Sequence, residues 1–170
     1  MLKITGIKNR KERALVRKFT MFVLNRFVKP EDIENSKINI NIICSKEIPV
    51  EERNEFEDAC AWMIYVGKER SRRVFDIHIN KNVILRPGNL KERMSVLLRY
   101  LAHELVHVKQ YLNGELFDYA DGKRYRYKGV VYSTSTYETS DWDYYDSLIE
   151  IEAYGRTEGL YDMFYKQLSE

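Results

Sequence analysis

Two histidines one helical turn apart are the feature that most constrains this chain. His103 and His107 lie within an apolar run from Leu90 to Leu112 that has helical periodicity. On a helix, side chains at this spacing project from the same face, so two imidazoles can bind one metal ion without bending the backbone. Glu104 follows the first histidine and is placed to accept a proton from a water on that metal. The pattern therefore predicts a metal centre on a helix.

A simpler reading is that both histidines are ordinary surface residues of a helix, since a pattern with three fixed positions also arises by chance. Two observations favour the metal centre. The chain has only 3 histidines, and two of them have the required spacing. The residues around the pair are apolar, which predicts a buried helix in which His and Glu need a compensating role. These apolar neighbours are Leu101, Ala102, Leu105, Val106 and Val108.

Helical periodicity predicts three long helices. The first covers Asn9–Val28 and carries basic residues outside its apolar stripe. The helix with the histidine pair begins after Asn89, which can act as an N-cap, and ends before Gly114. A closing helix spans Ser147–Leu168.

Alternating apolar and polar residues predict strands at Ile38–Cys44 and Val74–Asn80, and the short apolar run Ala59–Val66 predicts a third. In the strand at 74–80, one set of side chains is expected to face inward: Phe75, Ile77 and Ile79. The other set is expected to face solvent: Asp76, His78 and Asn80. We therefore expect an α+β fold with a small, mainly antiparallel sheet of about three strands packed on the first helix.

The segment 113–146 joins the histidine helix to the closing helix and is expected to flank the site. Its stretch Lys123–Tyr132 alternates basic and aromatic residues, which predicts a hairpin arm. Such interleaving can bind single-stranded nucleic acid by stacking. It is equally typical of a hairpin that faces solvent, and that interpretation is favoured here.

Length and composition predict one domain over residues 1–170. Residues 1–29 form a basic segment in which Glu12 is the single acid, so nucleic acid is a possible partner, although such faces are more often simply solvated. No apolar run reaches membrane-spanning length, and the first residues lack a signal-peptide pattern. We expect a cytoplasmic protein with no membrane partner, in which Cys44 and Cys60 are reduced.

A catalytic zinc usually has three protein ligands and an open position for water, so a third ligand must come from another element. The first candidates lie on the closing helix: Glu150, Glu152 and Glu158. Behind them stand Asp141, Asp143, Asp146 and His78. Glu150 shares a helix face with Ala153, a small residue that would allow close approach to the histidine helix. Glu152 points to another side, so the two cannot serve equally, and the spacing leaves the choice between them open.

The stretch His103-Glu104-Leu105-Val106-His107, with Glu150-Ile151-Glu152-Ala153 downstream, resembles the gluzincin branch of zinc metallopeptidases. In particular it resembles small minigluzincin and SprT-like proteins of phages and bacteria. In several zincin families a Glu-x-x-Ala pattern supplies the third ligand, which selects Glu150 here. Tyr154 stands where an acid or amide often follows, so the partner that orients the histidine ligands is unassigned. SprT-like proteases take a third histidine, which this chain lacks after His107.

The resemblance covers roughly residues 74–160 and is specific only at the motif. It implies one zinc ion held by His103, His107 and Glu150, and hydrolysis of a protein or peptide substrate with Glu104 as general base. It also implies a zincin-like core of a few strands, the last lying along the substrate cleft, above two helices. We expect the strand at 74–80 to be an edge strand that could pair with an extended substrate backbone. A tyrosine often steadies the oxyanion in such sites, and Tyr145 and Tyr154 are the nearest in sequence to Glu150.

Two other functions fit the same residues. One is a catalytically idle zincin-fold module that only binds a partner, against which Glu104 counts because such a module needs no base. The other is a protease that acts on nucleic-acid-bound proteins, which the basic segment 1–29 and the arm at Tyr125–Lys128 would support.

Overall fold

The computed structural model describes residues 1–34, 37–46, 60–69, 72–84, 89–134 and 144–169. Its α+β fold contains one four-stranded mixed sheet and one three-stranded antiparallel sheet. The elements in chain order are β1 (Leu2–Thr5), α1 (Arg10–Phe27), α2 (Pro30–Glu34), β2 (Ile38–Ser45), β3 (Ala61–Glu69), β4 (Arg72–Asn80), α3 (Lys81–Ile84), α4 (Leu90–Leu112), β5 (Leu116–Asp118), β6 (Arg124–Tyr127), β7 (Val130–Ser133) and α5 (Leu148–Ser169).

The larger sheet has the strand order β1-β2-β4-β3. Strand β2 pairs in parallel with both β1 and β4, and only the β3–β4 pair is antiparallel. The prediction of a mainly antiparallel sheet of about three strands is therefore wrong. Strand β1 adds a fourth member, and helix α1 provides the crossover that a parallel β1–β2 pair requires.

Strand β4 lies inside this sheet, between β2 and β3. The prediction that residues 74–80 form an edge strand is wrong, because both sides of β4 are hydrogen-bonded to neighbours. The edges among the described strands are β1 and β3. Residues 61–69 thus hold the edge position that the sequence assigned to 74–80.

The strand faces follow the predicted alternation, with two exceptions. Apolar residues of β2 and β4 enter the core as expected: Ile38, Ile40, Ile42, Phe75, Ile77 and Ile79. His78 and Asn80 were expected to face solvent, but both are buried. The ring of Trp62 on β3 stacks on His78, with centroids 5.0 Å apart and an angle of 11° between the ring planes. A large neighbour on the adjacent strand therefore covers a position that alternation alone assigns to solvent.

Helix α4 is the central element, because it contacts α1, α5, β3 and β4. It begins at the predicted residue: Asn89 and Glu92 form a reciprocal capping box that satisfies backbone donors at the helix start. It ends before Gly114, whose φ of +68° suits the left-handed position after a helix. Thirteen of its residues are buried, including the whole stretch from Leu101 to Gln110. A helix held on several sides is a rigid support for functional side chains.

The other two predicted long helices are also present. Helix α1 has Asn9 as its N-cap, and its Phe19 ring meets Phe164 of α5 edge-on at 5.0 Å. Helix α5 differs from its predicted range by one residue at each end. In addition to α1, the segment 1–29 contains strand β1, which was not predicted.

The predicted hairpin arm is confirmed as β6 and β7, which join β5 in the smaller sheet. Lys128 and Gly129 form its turn with φ of +46° and +89°. Arg124 and Arg126 are exposed, whereas Tyr125 and Tyr127 are buried. The basic side of the hairpin therefore faces solvent and its aromatic side packs inward, as expected.

Both cysteines are free thiols, which confirms their predicted reduced state; Cys44 is buried and Cys60 half-buried. Within the described ranges, no helix combines the length and apolar character needed to cross a bilayer. The cytoplasmic location stays a prediction from the sequence.

Gly6 follows β1 at a close approach to β2, and its replacement tests this packing. Its φ is +79°, and a Cβ there would lie 1.8 Å from the carbonyl oxygen of Cys44. Gly6→Ala should lower the free energy of unfolding by roughly 2–4 kcal/mol, because the left-handed strain adds to a backbone clash. Urea denaturation measures this loss.

Gly122→Ala is the matched control. Gly122 has a φ of +65° but open space where a Cβ would stand. The free energy of unfolding of Gly122→Ala should fall by only about 1 kcal/mol, because the left-handed backbone is the only source of strain there. Equal losses in the two variants would contradict the close contact between Gly6 and Cys44.

Candidate metal centre

Helix α4 brings the two motif histidines together as their spacing predicts. The Nε2 atoms of His103 and His107 are 3.1 Å apart, and the two rings stand at 78° to each other. Each residue is only 8% exposed. Each of the two imidazoles therefore directs its Nε2 atom toward the same point.

Glu150, in the first turn of α5, completes the group. Its Oε2 lies 3.1 Å from His103 Nε2 and its Oε1 lies 3.3 Å from His107 Nε2. Ala153, one turn further along α5, is fully buried in the core, so the helix approaches α4 closely at this point. Spacing left the choice between Glu150 and Glu152 open; the structure brings Glu150 to the two histidines, and this group could hold a metal ion.

The donor atoms fit a small divalent cation. Ligands about 2.0–2.1 Å from a tetrahedral zinc lie about 3.3 Å from one another, and the two imidazole nitrogens are 3.1 Å apart. The Glu150 carboxylate faces both nitrogens, with Oε2 3.1 Å from His103 Nε2 and Oε1 3.3 Å from His107 Nε2, and one donor atom from each residue lies within 4.8 Å of the others. Glu150 Oε2 is buried and makes no hydrogen bond within the described residues, although it lies close to His103. Three lone-pair donors converging in a buried site need a cation or protons between them. The residues present therefore fit a metal.

Burial shapes the charge state of both histidines. It lowers the pKa of His107 and so favours the neutral imidazole, the form that binds metals. Burial also acts to lower the pKa of His103, but the nearby carboxylates of Glu150 and Glu104 outweigh it and raise that pKa. In the same way, burial alone would raise the pKa of Glu150, and its contacts with the two imidazoles bring it below the usual value.

Glu104 lies beside this group and is only 5% exposed. Burial raises its pKa to about 7, and the carboxylate of Glu150 acts in the same direction. No ion pair or hydrogen bond joins its carboxylate to the part of the chain that the structure describes. Glu104 is therefore a buried acid held next to the metal ligands without a fixed partner.

Glu152 points away from the histidines and belongs to a separate ion-pair network. Its Oε1 accepts hydrogen bonds from Lys109 Nζ at 2.7 Å and Arg156 Nε at 2.9 Å, and its Oε2 accepts one from the Tyr127 hydroxyl at 2.5 Å. Burial opposes ionisation of Glu152, but the bonds from Lys109 and Tyr127 keep its pKa well below the usual range. Glu152 therefore links α4, α5 and the hairpin and does not belong to the described group that could hold a metal ion.

None of the other described candidates belongs to the metal group. Glu158 pairs with Arg99 at 2.7 Å on the surface, and Asp146 is exposed. His78 packs against Trp62. Asp141 and Asp143 lie outside the described residues.

Three tyrosines lie near the metal group. The Tyr154 ring packs on the His103 ring with centroids 4.4 Å apart, and Tyr145 packs on Tyr154 at 5.8 Å. The Tyr144 hydroxyl acts on the Glu150 carboxylate and helps to lower its pKa. Sequence reasoning named Tyr145 and Tyr154 by proximity but missed Tyr144, which precedes α5 and carried no pattern of its own.

Gln110 is the second residue that sequence reasoning missed. Its side chain lies 3.0 Å from His107 Nδ1 and is fully buried. The available signal was a polar residue three positions after a ligand histidine, inside an otherwise apolar stretch of helix.

Comparisons with protein-family models, with curated proteins and with solved structures give no match to this chain. The zincin-like character of the fold, the identity of the metal and the reaction therefore stay predictions that depend on the motif. The structure adds to them a buried donor set from two helices, His103, His107 and Glu150, that could hold one metal ion.

Separate replacements of Glu150 and Glu152 distinguish a metal ligand from a member of the ion-pair network. Glu150→Ala should weaken zinc binding by more than about 100-fold, because it removes a donor that faces both imidazoles. Glu152→Ala should weaken it much less but lower the free energy of unfolding by about 2–3 kcal/mol, since the buried Lys109 loses a partner. Competition with a chromophoric chelator and urea denaturation give the two quantities. A larger loss of zinc affinity in Glu152→Ala would reverse the assignment.

Proposed function

We propose that this protein is a zinc-dependent metallopeptidase of the gluzincin type. His103, His107 and Glu150 hold one zinc ion, and Glu104 is the general base. The observation that supports this most directly is the convergence of two imidazoles and one carboxylate within 4.8 Å of one another, with a buried glutamate beside them that makes no ion pair or hydrogen bond to the described residues. The substrate class is a protein or peptide.

The ligand chemistry favours zinc and a catalytic site. Two imidazoles and one carboxylate suit zinc, whereas magnesium and calcium take oxygen ligands only. Structural zinc sites are usually closed by four protein ligands, but the described residues supply a group of three. When bound, zinc would make a water nucleophilic near neutral pH and polarise the scissile carbonyl.

Glu104 supplies the proton transfers. It follows His103 directly, so its side chain leaves α4 beside the ligand pair but not on the same line. It would take a proton from the attacking water and pass it to the leaving amine. An unpaired buried carboxylate is destabilising, and a module that only binds a partner has no need of it. Glu104 therefore supports an enzyme over a catalytically idle zincin fold.

An extended substrate would pair with β3. This strand is hydrogen-bonded to β4 on one side, and no other described strand pairs with it. Strand β3 runs beside α4. The ring of Tyr65 on β3 packs on the ring of Tyr111 on α4, with centroids 5.1 Å apart. Tyr111 lies one helical turn after His107. An edge strand can bind a peptide backbone by adding it to the sheet, which aligns the scissile bond.

The hairpin weighs against stacking on nucleic acid. Such binding needs exposed aromatic faces, but Tyr125 and Tyr127 are 8% and 3% exposed. Their neighbours Arg124 and Arg126 could still contact phosphate as part of a solvated surface. A protease that acts on nucleic-acid-bound proteins stays a prediction from charge alone.

Glu104→Gln tests the proposed base, because it preserves shape and removes the proton acceptor. The variant should bind zinc as the wild type does and hydrolyse fluorescently labelled casein at least about 100-fold more slowly. Zinc content of the purified protein and the initial rate are measured on the same sample.

Glu158→Gln is the matched control, since it makes the same change on the surface of α5, where the side chain is 63% exposed. Its rate should equal that of the wild type. Undiminished turnover in Glu104→Gln would refute the role of Glu104. Zinc binding without hydrolysis of any protein substrate by the wild type would favour the idle module.

A further inference from the structure

Gln110 joins the two helices that carry the metal ligands. It lies three residues after His107 on α4, and its side chain is 0% exposed. Its Oε1 is 3.0 Å from His107 Nδ1. Its Nε2 donates to the carbonyl oxygen of Ile149 at 3.0 Å, and to Glu152 Oε2 at 3.4 Å. One amide therefore contacts a ligand histidine on α4 and the backbone directly before the ligand Glu150 on α5.

The surroundings fix the orientation of this amide. A carbonyl oxygen and a carboxylate oxygen lie on one side of it, and both can only accept hydrogen bonds from the amide. The NH2 group must therefore face Ile149 and Glu152, so the amide oxygen faces His107. An oxygen at that position accepts a hydrogen, which requires that His107 Nδ1 carries the proton. The neutral ring then presents its Nε2 lone pair toward His103 and Glu150.

We propose that Gln110 is a positioning residue for the metal centre. It fixes the tautomer and ring orientation of His107 and at the same time holds the first turn of α5, and thus Glu150, against α4. Ligand histidines generally need such a partner on the second ring nitrogen. This inference rests on the metal site of the proposed function and adds the residue that prepares it.

The ion-pair network behind Gln110 holds it in place. Glu152 receives bonds from Lys109 and Tyr127, which lie on α4 and on the hairpin. The shorter bonds from Lys109 and Tyr127 therefore hold the Glu152 carboxylate in place, and Gln110 donates a longer, weaker bond to it. A flipped amide would place its oxygen against the oxygens of Glu152 and Ile149, so it would lose both of these bonds.

His103 has no equivalent support. Its Nδ1 is buried and makes no hydrogen bond to the residues described by the structure. Its ring is held by packing against Tyr154, with centroids 4.4 Å apart. Of the two Nδ1 atoms of the pair, only that of His107 therefore has a hydrogen-bond partner within the described part of the chain, and that partner is Gln110.

Two replacements of Gln110 separate its contacts. Gln110→Met keeps the length but removes all three hydrogen bonds, and should weaken zinc binding by roughly 10–100-fold in competition with a chromophoric chelator. Gln110→Glu keeps an acceptor for His107 Nδ1 but loses the donor to Ile149 and Glu152, so its loss of zinc affinity should be smaller than that of Gln110→Met. The absorption bands of bound Co²⁺, which report ligand geometry, should change in Gln110→Met and remain in Gln110→Glu.

Gln167→Met is the control, because Gln167 is an exposed glutamine near the end of α5. It should match the wild type in zinc affinity and in the Co²⁺ spectrum. Urea denaturation of all the metal-free proteins separates a general loss of stability from a change at the site. An unchanged zinc affinity in Gln110→Met would overturn the positioning role, and so would an equal loss in both Gln110 variants.

The wild-type titration distinguishes this inference from the proposed function. If the wild type fails to bind zinc, the metal centre itself is wrong and the role of Gln110 falls with it. If the wild type binds zinc tightly and Gln110→Met does so equally, only the role of Gln110 is wrong.

Discussion

The close contact between α4 and α5 is the constraint on which the site depends. Each helix brings polar groups into the core: two imidazoles and Gln110 from α4, and Glu150 from α5. None of these groups is tolerable alone in a buried environment, since each needs a partner to replace water. Ala153 allows the two backbones to approach closely enough for the groups to meet. The same packing therefore makes the core and assembles the candidate metal centre.

A second set of buried charges, centred on Lys109, lies directly behind the metal group. Lys109, 6% exposed, lies between Glu115 and Glu152 at 2.6 and 2.7 Å. Breaking such a buried pair is far more damaging than its net contribution to stability suggests, so the network holds α4, α5 and the smaller sheet in one arrangement. Glu150 and Glu152 of α5 thus have different contacts. Glu150 faces the imidazoles, and Glu152 binds Lys109 and Tyr127 behind them.

Local patterns predicted the helices well, because caps and periodicity are encoded in neighbouring residues. Asn89 and Gly114 marked the bounds of α4 through the backbone groups they satisfy. The sheet was harder, since strand order is a non-local property: β1 has only four residues, and nothing local reveals that β4 lies between two neighbours. At the site, His103, Glu104 and His107 followed from spacing. The roles of Gln110 and Tyr144 required the position of α5, which the sequence does not provide.

Anomalous diffraction at the zinc edge, from a crystal grown with equimolar zinc, tests the central claim most directly. One peak should lie about 2.0–2.2 Å from His103 Nε2, His107 Nε2 and a carboxylate oxygen of Glu150. That result would show that two helices deliver three donors to one ion. A zinc peak elsewhere in the crystal, or no peak between these three side chains, would contradict the central claim.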